Sequence, residues 1–200
     1  MNVVSSVPRR YQPSRLISSS IHLFPAATPG APLIHVCKGN GILDRLVPLL
    51  TRRQQASFAF SHAWDNGTGN CLRAAAPFFR AASGVYVLTD LDAYGLGSFV
   101  TLEKALKRMS KSCTLMGISD EWLDAVQGYN KEFLSFAGMS ISPAEARRIK
   151  QLDRERPGLL RAFGPKCEAL VSGNKVLNLE AFFHEPWIEG VRRLLRSKLK

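Results

Sequence analysis

The chain has 200 residues, 46% hydrophobic and 22% charged, ordinary values for a globular domain that exclude a chain disordered throughout. No apolar run approaches the ~18 residues of a membrane-crossing helix, which excludes a helical membrane-spanning protein. Against 16 acidic residues stand 27 Lys and Arg, a formal charge of +11, so a polyanionic partner is favoured.

In chain order, residues 1–32 hold Arg9, Arg10 and Arg15, six serines and five prolines, and no acidic residue occurs before Asp44. This reads as a basic, Pro- and Ser-rich N-terminal arm. An organelle transit peptide has a similar composition, but Pro8 and Pro13 spoil the amphipathic helix it needs. From residue 33 the pattern becomes regular. Residues 33–37 (LIHVC) predict a short buried strand, ended by Lys38-Gly39-Asn40-Gly41. Helical apolar spacing follows over 42–50. Residues 57–60 suggest a second strand, 65–70 a turn cluster, and 71–82 a helix interrupted by Pro77. Residues 85–89 (VYVLT) are the clearest strand. An amphipathic helix over 96–109 and a strand over 113–118 come next. This alternation predicts an α/β domain with a mainly parallel sheet flanked by helices.

Beyond residue 120 the strands are expected to stop. Ser142 and Glu145 form a capping box, with Pro143 opening a helix over 144–156. Residues 159–170 and 179–198, bent near Pro186, complete a helical C-terminal extension starting near residue 140. Residues 33–200 thus form one domain. The cysteines at 37, 71, 113 and 167 and the four histidines show no paired spacing, so neither a zinc site nor a disulfide framework is expected. A reducing compartment follows, with a cytoplasmic or nucleoid-associated location expected and organelle targeting through the arm as the alternative.

The chemistry concentrates after the strand at 85–89, in Asp90-Leu91-Asp92-Ala93-Tyr94-Gly95. If the strand persists, its period of two puts Asp90 and Asp92 on one side. They then project at the carboxyl edge of a parallel sheet, where open α/β folds place their sites. Two carboxylates there suit Mg²⁺, a hard cation that takes one or two carboxylates plus waters and phosphate.

The segment VLTDLDAYGL resembles the acidic signature of the Toprim domain, in the form typical of the topoisomerase VI A subunit and the meiotic double-strand-break transesterase. The expected form is a hydrophobic strand followed by D-x-D-P-Y-G, and only the proline differs, replaced by Ala93. Residues 69–82, 115–124, 140–152 and 178–199 resemble the family's flanking segments at pattern level, so the likeness spans about 33–198. It implies a Toprim-like fold, a Mg²⁺ site at Asp90 and Asp92, and contact with duplex DNA, whose backbone a tyrosine from a separate winged-helix domain cleaves. Two departures stand out. Lys38 occupies the place of the family's first-strand glutamate, and a charged lysine cannot ligate Mg²⁺ but can pair with Asp90 or Asp92 in the cation's place. About 32 residues precede the first strand, too few for a winged helix. Tyr11 has no nucleophile context, and Tyr94 packs or contacts phosphate.

The basic residues fit a DNA footprint: Lys104, Lys107 and Arg108 on one helix, Arg147, Arg148 and Lys150 on a second, and Arg192, Arg193 and Arg196 near the C-terminus. Two functions are therefore expected. One is a DNA-associated Toprim protein within a Mg²⁺-dependent cleavage or topoisomerase-like system, with a winged-helix or ATPase partner subunit, or a second copy of the chain. The other is a degenerate module that binds DNA or a partner without catalysis. Lys38 favours the second, and the intact Asp90/Asp92 pair the first.

Overall fold

A computed structural model describes residues 15–18, 21–24, 29–37, 41–63, 69–126 and 131–199. The chain is α/β. Strand β1 (Arg15–Ser18) and β2 (Ile21–Phe24) are followed by β3 (Leu33–Val36), β4 (Ala59–Ala63), β5 (Val85–Leu88) and β6 (Thr114–Leu115). The last four are parallel in the spatial order β4-β3-β5-β6. Helices lie between them: α1 (Gly41–Leu46), α2 (Arg52–Ser57), α3 (Gly69–Ala81) and α4 (Ala93–Arg108). A largely helical C-terminal segment contains α5 (Asp120–Ala125), α6 (Lys131–Ala137), α7 (Pro143–Glu155), α8 (Pro165–Ser172) and α9 (Ile188–Lys198). This is the expected mainly parallel sheet flanked by helices, in an arrangement consistent with a Toprim-like one. Among the described residues no helix is long and apolar enough to cross a membrane.

Two expectations are corrected. The basic arm is not all arm: β1 and β2 form a hairpin whose second strand pairs antiparallel with β4, from Ile21↔Ala63 to Phe24↔Phe60. Without it β4 would be a bare edge; the short apolar stretch IHLF satisfies its outer amides and carbonyls, and β1 in turn pairs with β2. Nor do the strands stop at residue 120. β7 (Gly138–Ser140) and β8 (Lys175–Leu177) make a second, antiparallel sheet. Each has three residues, too few to show a period.

Smaller differences have local causes. Helical spacing over 42–50 divides into α1 and a 3₁₀ turn, Val47–Leu49, with Pro48 in its first positions. Thr51 then starts α2 through a full capping box with Gln54, and β4 begins two residues later than expected. Helix α3 runs through Pro77, at an exposed position, despite the lost backbone hydrogen bond and the crowding of its ring against the preceding turn.

The core joins the sheet to both helical layers. Ile34, Val36, Phe60, Val87 and Leu88 are buried on the strands, with Leu96, Leu102 and Leu106 from α4. In the C-terminal half Trp122 meets Phe182 edge-on at 5.3 Å and donates its indole N–H to the Met116 carbonyl at 2.8 Å. Cys37 and Cys167 are buried, and desolvation pushes both thiols up, which makes them poor nucleophiles. Helix α9 packs on α5 and on the turn Val47–Leu49. Its C-terminal carbonyls, at Arg196 and Leu199, accept from the buried Gln54 amide at 3.1 and 2.7 Å, a side-chain cap supplied from far upstream.

Helix α7 is fixed on α4 by Arg156, which donates twice to the Glu103 carboxylate at 3.0 and 3.2 Å and covers the Phe99 ring. The hydrogen bonds from Arg156 hold Glu103 below its usual pKa, against an opposing push from desolvation. A carboxylate with a lowered folded pKa contributes stability that is complete above its ordinary value and is lost as pH falls through the lowered one. Glu103→Gln is therefore expected to flatten the acid limb of the melting temperature between about pH 5 and pH 3. Thermal melts of both proteins across that range check this; parallel acid limbs would remove the Glu103–Arg156 pair from the account.

Candidate functional site at the carboxyl edge of the sheet

From β3 the chain moves to β4 on one side, and from β4 it crosses to β5 on the other. The strand order reverses between β3 and β5, and such a switch point opens a crevice at the carboxyl ends of its strands. The described loop at this edge is 89–92. Lys38, the residue read as a cation substitute, lies outside the described residues, as do Tyr11 and residues 65–68 of the turn cluster.

The 89–92 loop is held closely. Strand β5 ends at Leu88, so its period of two does not carry on to the aspartates. A Cβ on Gly95 would stand 2.3 Å from the Asp90 carbonyl oxygen and 2.5 Å from Thr89 Oγ1, and one on Gly117 would stand 2.6 Å from Thr89 N. Only glycine permits this contact between the start of α4, the end of β6 and the loop.

Each aspartate is engaged by a different backbone amide. Asp92 is the N-cap of α4, its Oδ1 accepting from Gly95 N at 2.6 Å, the usual service of an aspartate at a helix start. Asp90 is 5% exposed and its Oδ1 accepts from Leu179 N at 2.6 Å. The neighbouring Leu91 exchanges two backbone hydrogen bonds with Leu177, at 2.9 and 3.1 Å. The C-terminal segment thus crosses the carboxyl edge beside β5 and covers Asp90. Tyr94, in the first turn of α4, is 51% exposed.

Mg²⁺ implied by the Toprim resemblance would need carboxylate oxygens open to water and phosphate. Among the described residues no group of three or more His, Cys, Asp or Glu side chains is arranged to hold a metal. With Asp90 covered and Asp92 capping a helix, the described residues do not fit a Mg²⁺ site. The acidic segment after β6 is likewise structural. Asp120 accepts from Lys166 N and Cys167 N, both at 3.0 Å, and so caps α8 from across the chain. Gly164, at φ +107°, makes room for it: a Cβ would lie 2.3 Å from the Asp120 carboxyl carbon. Asp124 pairs with Lys166.

The basic clusters divide on inspection. Lys104 and Arg148 share Glu155 at 3.6 and 3.8 Å, and Lys107 lies 3.8 Å from Glu103. Arg192 pairs with Glu189, and Arg196 donates to the Leu49 carbonyl at 2.8 Å. Arg193 borders a groove that also holds Glu121 and Asp124. Of the nine residues expected to contact DNA, Arg108 is exposed at the end of α4, and Arg147 and Lys150 lie on one exposed surface of α7 with Arg154. No described carboxylate pairs with any of these three on α7.

No protein-family model matches the chain, and no curated protein matches it.

Proposed function

We propose that this chain is a catalytically degenerate Toprim-like module that binds double-stranded DNA without cleaving it, alone or beside a partner subunit. The reading rests on Asp90. A carboxylate that is buried and bonded to the Leu179 amide serves the fold, and the second aspartate of the motif caps α4. The motif DLDAYG then persists as a structural turn, with Gly95 as its hinge against Thr89 and Asp90. The net charge of +11 supplies the attraction to a polyanion.

Cleavage of a phosphodiester needs a positioned nucleophile, charge neutralisation at phosphorus and an acid for the leaving oxygen. Losing one acid/base group costs typically 10²–10⁴ in rate. The purified protein is therefore expected to leave supercoiled plasmid intact over hours with Mg²⁺ or Mn²⁺, while retarding it on a gel. Nicking by the wild type that disappears in Asp90→Asn with Asp92→Asn would establish a nuclease and reject the degenerate reading.

A further inference from the structure

We infer that the exposed face of α7, through Arg147, Lys150 and Arg154, is the surface that meets the nucleic-acid backbone, while most of the other expected cations already face a carboxylate or carbonyl of the protein. This rests on the reading of the chain as DNA-associated and names the contact. Three cations recur at i, i+3 and i+7, which puts them on one side of the helix. They span seven residues, about 10 Å of helix axis. That matches the axial reach of roughly three successive phosphates on one strand. Ala144, Gln151 and the Glu155-paired Arg148 complete the same surface.

The underside of α7 fixes what this face can do. Ile149 and Leu152 are buried, and Leu152 Cδ1 lies 3.8 Å from a Cβ built on Gly97 of α4. The helix is anchored by its apolar stripe and, at its C-terminal end, by Arg156 on Glu103. Its basic side is therefore rigid and outward. An anionic membrane is the other large polyanion. A helix lying in a membrane interface needs free Leu, Phe or Trp to insert. This face has nothing more apolar than Ala144, and the helix has already buried its leucine and isoleucine. A phosphate-lined backbone with no insertion requirement fits the chemistry better. Arg147 and Arg154 carry planar forks suited to phosphate, and Lys150 a compact charge between them.

Counterion release makes the inference quantitative. Neutralising Z phosphates of duplex DNA gives a slope of log affinity on log salt of about −0.9Z, so three contacts give about −3 and nine contacts, one for each cation of the footprint, about −8. Anisotropy of a labelled 20-base-pair duplex, titrated with the full chain from 50 to 200 mM salt, reads the slope directly. The expected result is a slope near −3, or about 60-fold weaker binding over that range. Neutralising Arg147→Gln, Lys150→Gln and Arg154→Gln together should weaken binding at least tenfold at 50 mM and bring the slope toward zero. Lys104→Gln with Lys107→Gln, which touches already paired cations, should stay within about twofold. A triple variant that binds like wild type, an α4 variant that weakens as much, or a wild-type slope near −8 overturns the assignment to α7 and leaves DNA binding standing. Absence of any salt-sensitive binding by the wild type overturns the DNA reading itself. Equal, α7-dependent binding to vesicles containing 30% phosphatidylserine overturns the choice of nucleic acid over membrane.

Discussion

Gly190→Ala is expected to lower the melting temperature by about 6–12 °C, the shift that about 3 kcal/mol produces in a chain of this size. A Cβ at this position would lie 1.6 Å from the Ala125 carbonyl oxygen and 2.6 Å from its carbon. Both are backbone atoms of α5, so neither yields by rotating a side chain. Helix α9 must move away from α5, and Val191 and Leu195, fully buried now, move with it. Gly97→Ala is the control. There the nearest atom is a flexible Leu152 methyl at 3.8 Å, and alanine is the better helix former by up to ~1 kcal/mol. Calorimetric melts of the two variants should therefore shift in opposite directions, or the Gly97 variant not at all. A Gly190 variant that melts with the wild type would mean that α9 does not approach α5 this closely.

Asp90→Ala is the second substitution with a large expected cost, about 3 kcal/mol, because it strands the buried Leu179 N–H and removes a charge-assisted bond. Asp90→Asn retains an acceptor oxygen and is expected to lose about 1 kcal/mol. Asp92→Ala removes an N-cap and belongs in the same range, about 1 kcal/mol. The sign discriminates between roles. A carboxylate kept for a metal is strained in the metal-free protein, and its removal stabilises the fold at the expense of function. One kept for the backbone destabilises the fold when removed. Urea melts without divalent ions compare the three variants; a gain in stability for Asp90→Ala would return the residue to a functional role.

Much of the parallel sheet was legible in the sequence. LIHV and VYVL are short β-branched and aromatic runs bounded by Gly, Asn or Asp, and each is a strand within a residue of its expected limits. Helix α7 followed from Ser142, Pro143 and Glu145, and the Ser142 hydroxyl does accept from Glu145 N. What escaped was non-local. Strands β7 and β8 exist because residues 138–140 and 175–177 find each other, and neither tripeptide carries a signal alone. The same holds for the site. A bare D-x-D tells a reader nothing about a backbone amide 89 residues away, so the burial of Asp90 could not be foreseen. Charge counting failed in a related way. Arg148 and Arg147 are neighbours in sequence and border the same surface, yet Arg148 reaches Glu155 and Arg147 pairs with no described carboxylate. Glu103 and Glu155 pair several of the expected DNA contacts, and only the packing of α7 against α4 decides which cations they reach.

The Gln54 cap on α9 also sets a timetable for synthesis. Its partner Arg196 emerges 142 residues later, which at ~5–20 residues per second is about 7–28 s of translation. Throughout that interval the turn Val47–Leu49, with Val47 and Leu49 buried in the folded protein, waits without the helix that will pack on it. A nascent chain halted before residue 188 would display this apolar strip beside a largely formed sheet, a ready target for chaperones and for self-association. Ribosome stalling between the codons for residues 130 and 188 should therefore harm the yield of folded protein more than stalling before residue 54.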